Sequence, residues 1–483
     1  MRNLPYKYKT IVVVSALFVL LTGCKLLKTP EQLPTLKPMP EAYPVAQKEG
    51  NSADIHWRNY FSDTTLTALI DTALQNNIDV RIAFQRIEMG RAQVEQAKGL
   101  TLPFVSGGGS TGQRRFGKYT MDGIGNYDTN FSDNISENQR IPEHLPDFTV
   151  GLQSSWEIDI WGKLRTRKEA ALARYLSTVE GRNFVLTNLV ADIALLYYEL
   201  LAFENELDLI RETITLQNNE LSIIQIQKDA GRANELAVKQ FEAQVLNSKS
   251  IEVEVSQRIV EIENRINFLL GRYPQPIRRN KSRFTTPLPG LVRAGVPAEL
   301  LKNRPDVKQA EYELTATKAN VFIAKAAFYP SLNVTGVLGL QSFRPEFLIT
   351  PQSIAYNIIG GLTAPLFNKS ALKAELKTAR AAQVEALYNY QRSMLNGYFE
   401  VYNQLVLINN LEKLHALKTS EADVLTKSIQ TASELFSTGR ATYLEVILNR
   451  KNALQSRIEL IDVRKRQYYS LIHLYRSLGG GWK

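Results

Sequence analysis

One thiol, four imidazoles and scattered carboxylates are the reactive groups of this 483-residue chain, and their spacing argues against most chemistry. His56, His144, His415 and His473 stand far apart in sequence and offer no metal-ligand pairing. Glu157 and Asp159 alternate onto one side of an extended segment, and two carboxylates can do acid–base work. No third group near them in sequence completes a catalytic set. They read instead, together with Gln153, as lining a wet lumen, with Lys163 or Arg165 as partners. Gly112-Gln113-Arg114-Arg115-Phe116-Gly117-Lys118 mimics a phosphate loop. Tyr119 stands where such a loop needs Ser or Thr, and no buried strand and helix flank it. No catalytic residue, metal site or cofactor is assigned.

The remaining reactive group is Cys24, the only cysteine, so no disulfide forms within the chain. Arg2, Lys7 and Lys9 precede an apolar run from Ile11 to Leu21, too short to span a bilayer and laid out as a secretory signal peptide over residues 1–23. The Leu-Thr-Gly-Cys that follows resembles the lipobox of bacterial lipoproteins, in which the cysteine is acylated with chains such as palmitate and becomes the first residue. Lys25 in place of Asp is, by the same resemblance, compatible with outer-membrane sorting. More than one acyl chain gives stable anchoring in lipid. Residues 24–52 carry Pro30, Pro34, Pro38, Pro40 and Pro44, which favour an extended tether over a helix.

The rest of the chain positions no catalytic group; it repeats itself. Asn303 to Gly336, moved back by 227 positions, falls without a gap on Asn76 to Gly109. Gly231-Arg232-Ala233, with Leu236 and Val238, returns 208 positions later as Gly439-Arg440-Ala441, with Leu444 and Val446. Two homologous halves follow, at 53–271 and 297–483, joined by a Pro- and Arg-rich surface connector at 272–296. Leu164 to Asp229 and Ala371 to Ser437 have almost no Gly or Pro and an apolar period of three to four. A continuous helix of that size would be on the order of 90 Å long and suited to coiled-coil packing. The 58 Lys+Arg against 48 Asp+Glu are spread through these patterns as solvated faces, which argues against nucleic-acid binding.

Period-two alternation marks four strands near 104–111, 148–160, 331–340 and 354–366, each close to membrane-spanning length. The segments between paired strands, 112–147 and 341–353, read as loops. Four strands cannot close a barrel, and open sheet edges are not tolerated in lipid. Copies of the chain must therefore pool strands: two would give eight and a filled interior, three would give twelve and more room.

Leu300-Leu301 with Arg304-Pro305-Asp306, Ala324-Lys325-Ala326-Ala327-Phe328-Tyr329-Pro330, Ser155 to Lys163 and Pro365-Leu366-Phe367 are similar to the TolC-like outer-membrane factors of tripartite efflux pumps, in their NodT-type lipoprotein branch. The resemblance covers Cys24 to about Leu478. It implies a mainly helical fold with a membrane β-barrel: a homotrimer with a twelve-stranded barrel in outer-membrane lipid and an α-helical periplasmic tunnel. A periplasmic adaptor and a proton-driven inner-membrane transporter are the implied partners. Adaptor docking falls on Gly231, Arg232, Ala233, Gly439, Arg440 and Ala441. Leu444 takes a gate position, and Leu448 stands where many relatives carry Asp, so Glu445 is the candidate for an acidic ring. The implied function is passive exit of small molecules; the alternatives are a type I protein-secretion duct and a structural envelope lipoprotein without a channel. Cys24→Ser is expected to abolish incorporation of labelled fatty acid, and a variant that still labels would remove the lipid anchor.

Overall fold

The computed structural model describes residues 33–44, 50–286, 294–367 and 369–483. Cys24, the signal segment, the start of the tether and part of the connector lie outside them. The elements run α1 (Thr64–Asn76), α2 (Ile78–Gly99), β1 (Phe104–Arg114), α3 (Met121–Thr129), β2 (Leu145–Ile158), α4 (Lys163–Asp229) and α5 (Glu235–Leu269). The second half continues with α6 (Pro305–Ala326), β3 (Ser331–Ser342), β4 (Ile354–Thr363), α7 (Ser370–Ser437) and α8 (Tyr443–Ser477), with short helical turns between. The chain divides into two compact units.

The first unit holds residues 90–174 and 315–385. Its centre is one antiparallel sheet in the order β1-β2-β3-β4. Directly opposed residues share a face, so the register sorts the side chains. Phe148, Val150, Leu152, Trp156 and Ile158 of β2 stand beside Leu340, Leu338, Val334 and Leu332 of β3, which in turn oppose Ile354, Tyr356 and Leu362 of β4. Ser106, Gln153, Val337, Asn333 and Asn357 belong to the other, mostly polar face. Strand bounds differ from the sequence expectation where local chemistry intervenes. β4 stops at Thr363, two residues before Pro365, which lacks an N–H for the ladder. β2 stops at Ile158 because Asp159 turns to the next helix: its carboxylate accepts the N–H groups of Leu164 (3.0 Å) and Arg165 (2.8 Å). The segment 112–147, expected to be loop, contains helix α3, whose start is capped by Thr120 Oγ1 accepting the Gly123 N–H at 3.1 Å.

The second unit holds residues 36–89, 175–314 and 386–483. Asp63 caps α1, accepting the N–H groups of Thr65 and Leu66, and its other oxygen accepts the Tyr197 hydroxyl at 2.8 Å. The core below that cap joins Leu66, Ile70 and Ala73 of α1, Ile193, Leu200 and Leu201 of α4, Ile259, Ile262 and Ile266 of α5, and Tyr468, Ile472 and Tyr475 of α8. The stretch of α4 apolar enough to cross a membrane is thus largely core. The tether ends here too, with Tyr43 buried and stacked on Tyr398 at 5.3 Å. The described residues of the connector are mostly exposed, as its composition suggests, but the segment is anchored. Ile277 and Phe284 are buried, Arg279 pairs with Glu204 and Glu263, and Lys281 bonds Glu204 and Asp208. Two apolar anchors and an acidic patch on α4 and α5 hold this surface segment in place.

The repeat is visible in atomic detail. Asn77 donates its amide to the Leu269 carbonyl at 2.9 Å, and its counterpart Arg304 donates to the Ser477 carbonyl at 2.7 Å. Gly271 and Gly479 follow with φ of +66° and +89°, and a Cβ on either would lie 2.5 Å from the carbonyl oxygen of Asn76 or Asn303. Arg304 goes further than Asn77. It is 5% exposed, grips Asp306 through two bonds (3.0 and 2.7 Å) and reaches Glu400 at 2.7 Å. Removing one partner of a buried ionic set costs about 3–5 kcal/mol because the remaining charges lose compensation. Arg304→Ala is therefore expected to lower the thermal unfolding midpoint sharply; a midpoint within a degree or two of wild type would show that the cluster is dispensable.

Candidate functional site

The two helical-hairpin turns are built by the same hydrogen bonds. In the first, Gly231 (φ +74°) donates to the Lys228 carbonyl at 2.9 Å, and Arg232 and Ala233 donate to the Gln227 carbonyl at 2.8 and 3.2 Å. In the second, Gly439 (φ +74°) donates to Phe436 at 3.0 Å, and Arg440 and Ala441 donate to Leu435 at 2.8 and 3.2 Å. This is the Schellman closure of a helix, and it needs the left-handed conformation that glycine adopts without a Cβ penalty. The closure uses the backbone of Arg232 and Arg440 and leaves both side chains exposed, with no ion pair to other described residues. The geometry thus puts a guanidinium, with its fork of donors, at the end of each hairpin.

The return helices start differently. Asn234 caps α5 by accepting the Ala237 N–H at 2.9 Å, and Glu235 pairs with Lys228 at 2.5 Å. Thr442 caps α8 in a capping box, with the Glu445 carboxylate accepting the Thr442 N–H (2.6 Å) and hydroxyl (3.0 Å). The bond from the Thr442 N–H holds the Glu445 carboxyl below the usual carboxylate range. Behind the turns, Ile224, Val238 and Phe241 pack with Phe436, Tyr443 and Ile447, joining both hairpins of the chain.

Leu444 and Leu448 point away from that cluster. One helical turn apart on one face, they are 57% and 55% exposed within the chain. Coiled-coil packing inside one chain does not account for them. Leu236, which the 208-residue shift lays on Leu444, is equally exposed. Sequence reasoning paired the two positions without drawing that consequence. At the sheet, Gln153 is exposed on the polar face, and Glu157 pairs with Lys163 at 2.5 Å. Asp159 lies beyond the strand as a helix cap with Arg165 at 3.5 Å, so Glu157 and Asp159 do not form a carboxylate pair.

A family model described as outer membrane efflux protein matches residues 69–272 and 296–480. The solvent efflux pump outer membrane protein SrpC of Pseudomonas putida is 28% identical, covering 99% of each chain. SilC of Salmonella typhimurium, a probable outer membrane lipoprotein by name, is 27% identical over 97% of this chain and 98% of its own. The solved structure of CusC, a cation efflux system protein in Escherichia coli, superposes with a TM-score of 0.79 at 27% identity, covering 94% of this chain and 99% of that one. Duplicated halves, membrane strands, long hairpins and these likenesses converge: the chain belongs to the outer membrane efflux protein family, a family of ducts and not of enzymes, and serves as the outer-membrane exit duct of an efflux system.

Proposed function

We propose that this duct is the outer-membrane member of a tripartite pump and conducts small molecules passively, without catalytic chemistry of its own. Three copies close a twelve-stranded barrel, a periplasmic adaptor docks on the hairpin turns, and an inner-membrane transporter supplies the driving force. Cys24 carries the lipid anchor. The observation that carries the reading is the pair of matched turns, each presenting an exposed arginine beside a glycine-closed helix end. A turn that only reverses the chain has no use for two guanidinium groups without ion pairs among the described residues. Charge-assisted bonds from Arg232 and Arg440 to acidic or carbonyl groups of an adaptor hairpin would give them one.

The gate lies beside the second turn. Leu444 and Leu448 are apolar, exposed within the chain and one turn apart, so copies brought around an axis form stacked apolar rings that close by dewetting. Glu445 folds its carboxylate back on its own helix start, which favours the apolar ring over an acidic one. An envelope-bridging lipoprotein would have no use for four strands with an apolar face, and a protein-secretion duct would share the barrel but take a polypeptide cargo. The names of relatives, solvent for SrpC and cation for CusC, support small cargo over protein.

Planar-bilayer recording of the purified protein, with its mass in detergent, tests the duct. Discrete openings from a trimer are expected, and Leu444→Ser should raise single-channel conductance severalfold. An unchanged conductance would move the gate elsewhere, and a monomer that never conducts would end the reading. Arg440→Glu is expected to reduce crosslinking to the adaptor several-fold while leaving trimers intact; undiminished crosslinking would remove the docking role.

A further inference from the structure

The helical wall next to the sheet carries a charged recess that neither the turns nor the gate uses. It holds about 830 Å³, within the roughly 300–1,000 Å³ usual for small-molecule sites. All four helices that meet the sheet line it: α2, α4, α6 and α7. Helices hung from adjacent strands lie side by side, and one recess touches all four only on the concave side of that row. The phase of α4 identifies the side. At 100° per residue, Lys163, Arg167, Ala170, Ala171 and Arg174 fall within an arc of about 100°. Lys163 pairs with Glu157 at 2.5 Å, and Glu157 shares the polar strand face with Gln153. The apolar strand face takes the lipid, so the recess opens on the lumen.

Its floor is small and its lining carries charge. Ala97, Ala170, Ala171 and Ala324 line it and are buried, and longer side chains there would fill the space. Leu100 and Ile323 add apolar surface. Arg167 is exposed and Arg174 half-buried, and neither makes a hydrogen bond or ion pair with another described residue. Each guanidinium therefore keeps its full set of N–H donors for water or a guest. The carboxylates at the strand end do not compensate them. Glu157 is held by Lys163, and Asp159 by the Leu164 and Arg165 amides. Glu375 of α7 is the one carboxylate among the described lining residues, and it has no ion pair to any of them. Two guanidinium groups against one carboxylate leave the recess cationic.

We propose that this recess binds small organic anions on their way through the duct. The anionic group pairs with Arg174, the more enclosed guanidinium, and the apolar body of the guest lies on the alanine floor. Arg167, about 10 Å nearer the sheet along α4, adds to the positive field. The planar guanidinium fork matches a carboxylate, and rings of arginine line pores that pass anions. Copies arranged around one axis bring such pairs together on the lumen wall. The proposal rests on the duct reading and on neither the adaptor nor the gate assignment.

The test is block of single-channel current by benzoate in planar bilayers holding the full-length protein, with benzamide as the uncharged analogue of the same shape. Benzoate should block at concentrations where benzamide does not. Arg174→Gln should weaken that block severalfold, and Arg167→Gln with Arg174→Gln should weaken it further. Glu375→Gln should strengthen it, a gain that a misfolded wall cannot produce. Lys168→Gln removes the same charge from α4 outside the arc and should leave the block unchanged; a loss equal to that of Arg174→Gln would overturn the site in favour of overall charge. Channels that open normally but are blocked equally by both compounds, or equally with and without the two arginines, would overturn the anion site and leave the duct standing. A protein that never conducts would remove the duct and the site with it.

Discussion

Two rows of unpaired backbone groups govern this molecule. β1 has β2 on one side only, and β4 has β3 on one side only, so one edge of each lacks partners among the described residues. Each unsatisfied N–H or carbonyl in hydrocarbon costs several kcal/mol, and strands of this length expose several. No rearrangement within one chain satisfies both edges, since four strands are too few to close. β1 of one copy therefore needs β4 of the next. That contact joins two different surfaces, and a contact of that kind closes into a ring when the rotation per copy permits. The count follows from the inner face. Eight strands leave an interior that side chains fill, whereas Ser106, Gln153, Asn333 and Asn357 favour water, which favours twelve.

The helical unit meets the opposite demand, because it must be rigid where the two halves meet. Duplication supplies the rigidity twice. Asn77 and Arg304 occupy matched corners, each tying the start of a helix to a carbonyl at the end of another, and each is followed by a helix end that only glycine fits. Arg304 then adds Asp306 and Glu400 around a buried guanidinium. The first half is tied down at its own start by Asp63, which caps α1 and accepts the Tyr197 hydroxyl. Buried charge is costly unless every donor is used, and Arg304 spends donors on three different partners.

Much of this was legible in the sequence. The two halves, the long helices, four strands and both hairpin turns follow from periods and echoes, because a period-two pattern flanked by Pro103 or Pro330 has few other solutions. The losses have local causes. Asp159 alternates correctly with Glu157, yet its short side chain reaches the Leu164 and Arg165 amides better than it serves a strand, and capping ended β2 early. Helix α3 was missed because Gly123 and Gly125 dilute its pattern, and the Thr120 cap decides it. The connector reads correctly as surface, but composition reports neither its two buried anchors, Ile277 and Phe284, nor the carboxylates of α4 and α5 that pair with its cations.

The proposed gate depends on the same duplication. If Leu444 were exposed only to serve a constriction at the second turn, its counterpart Leu236 would have no reason to match it. The two turns do differ elsewhere: a Lys228–Glu235 ion pair and an Asn234 cap in one, a Thr442–Glu445 capping box in the other. The caps diverged, and the exposed leucine three residues after Ala233 and Ala441 did not. An apolar residue in water at both turns is therefore a property of the hairpin unit. Around a closed axis each copy contributes two such leucines, and Leu448 extends the surface by one turn on the second hairpin only. Dewetting depends on continuous apolar lining around the pore, and leucines from alternating hairpins line more of a circumference than leucines from every second one. On the proposed gate, the first hairpin would line the constriction as well as support it.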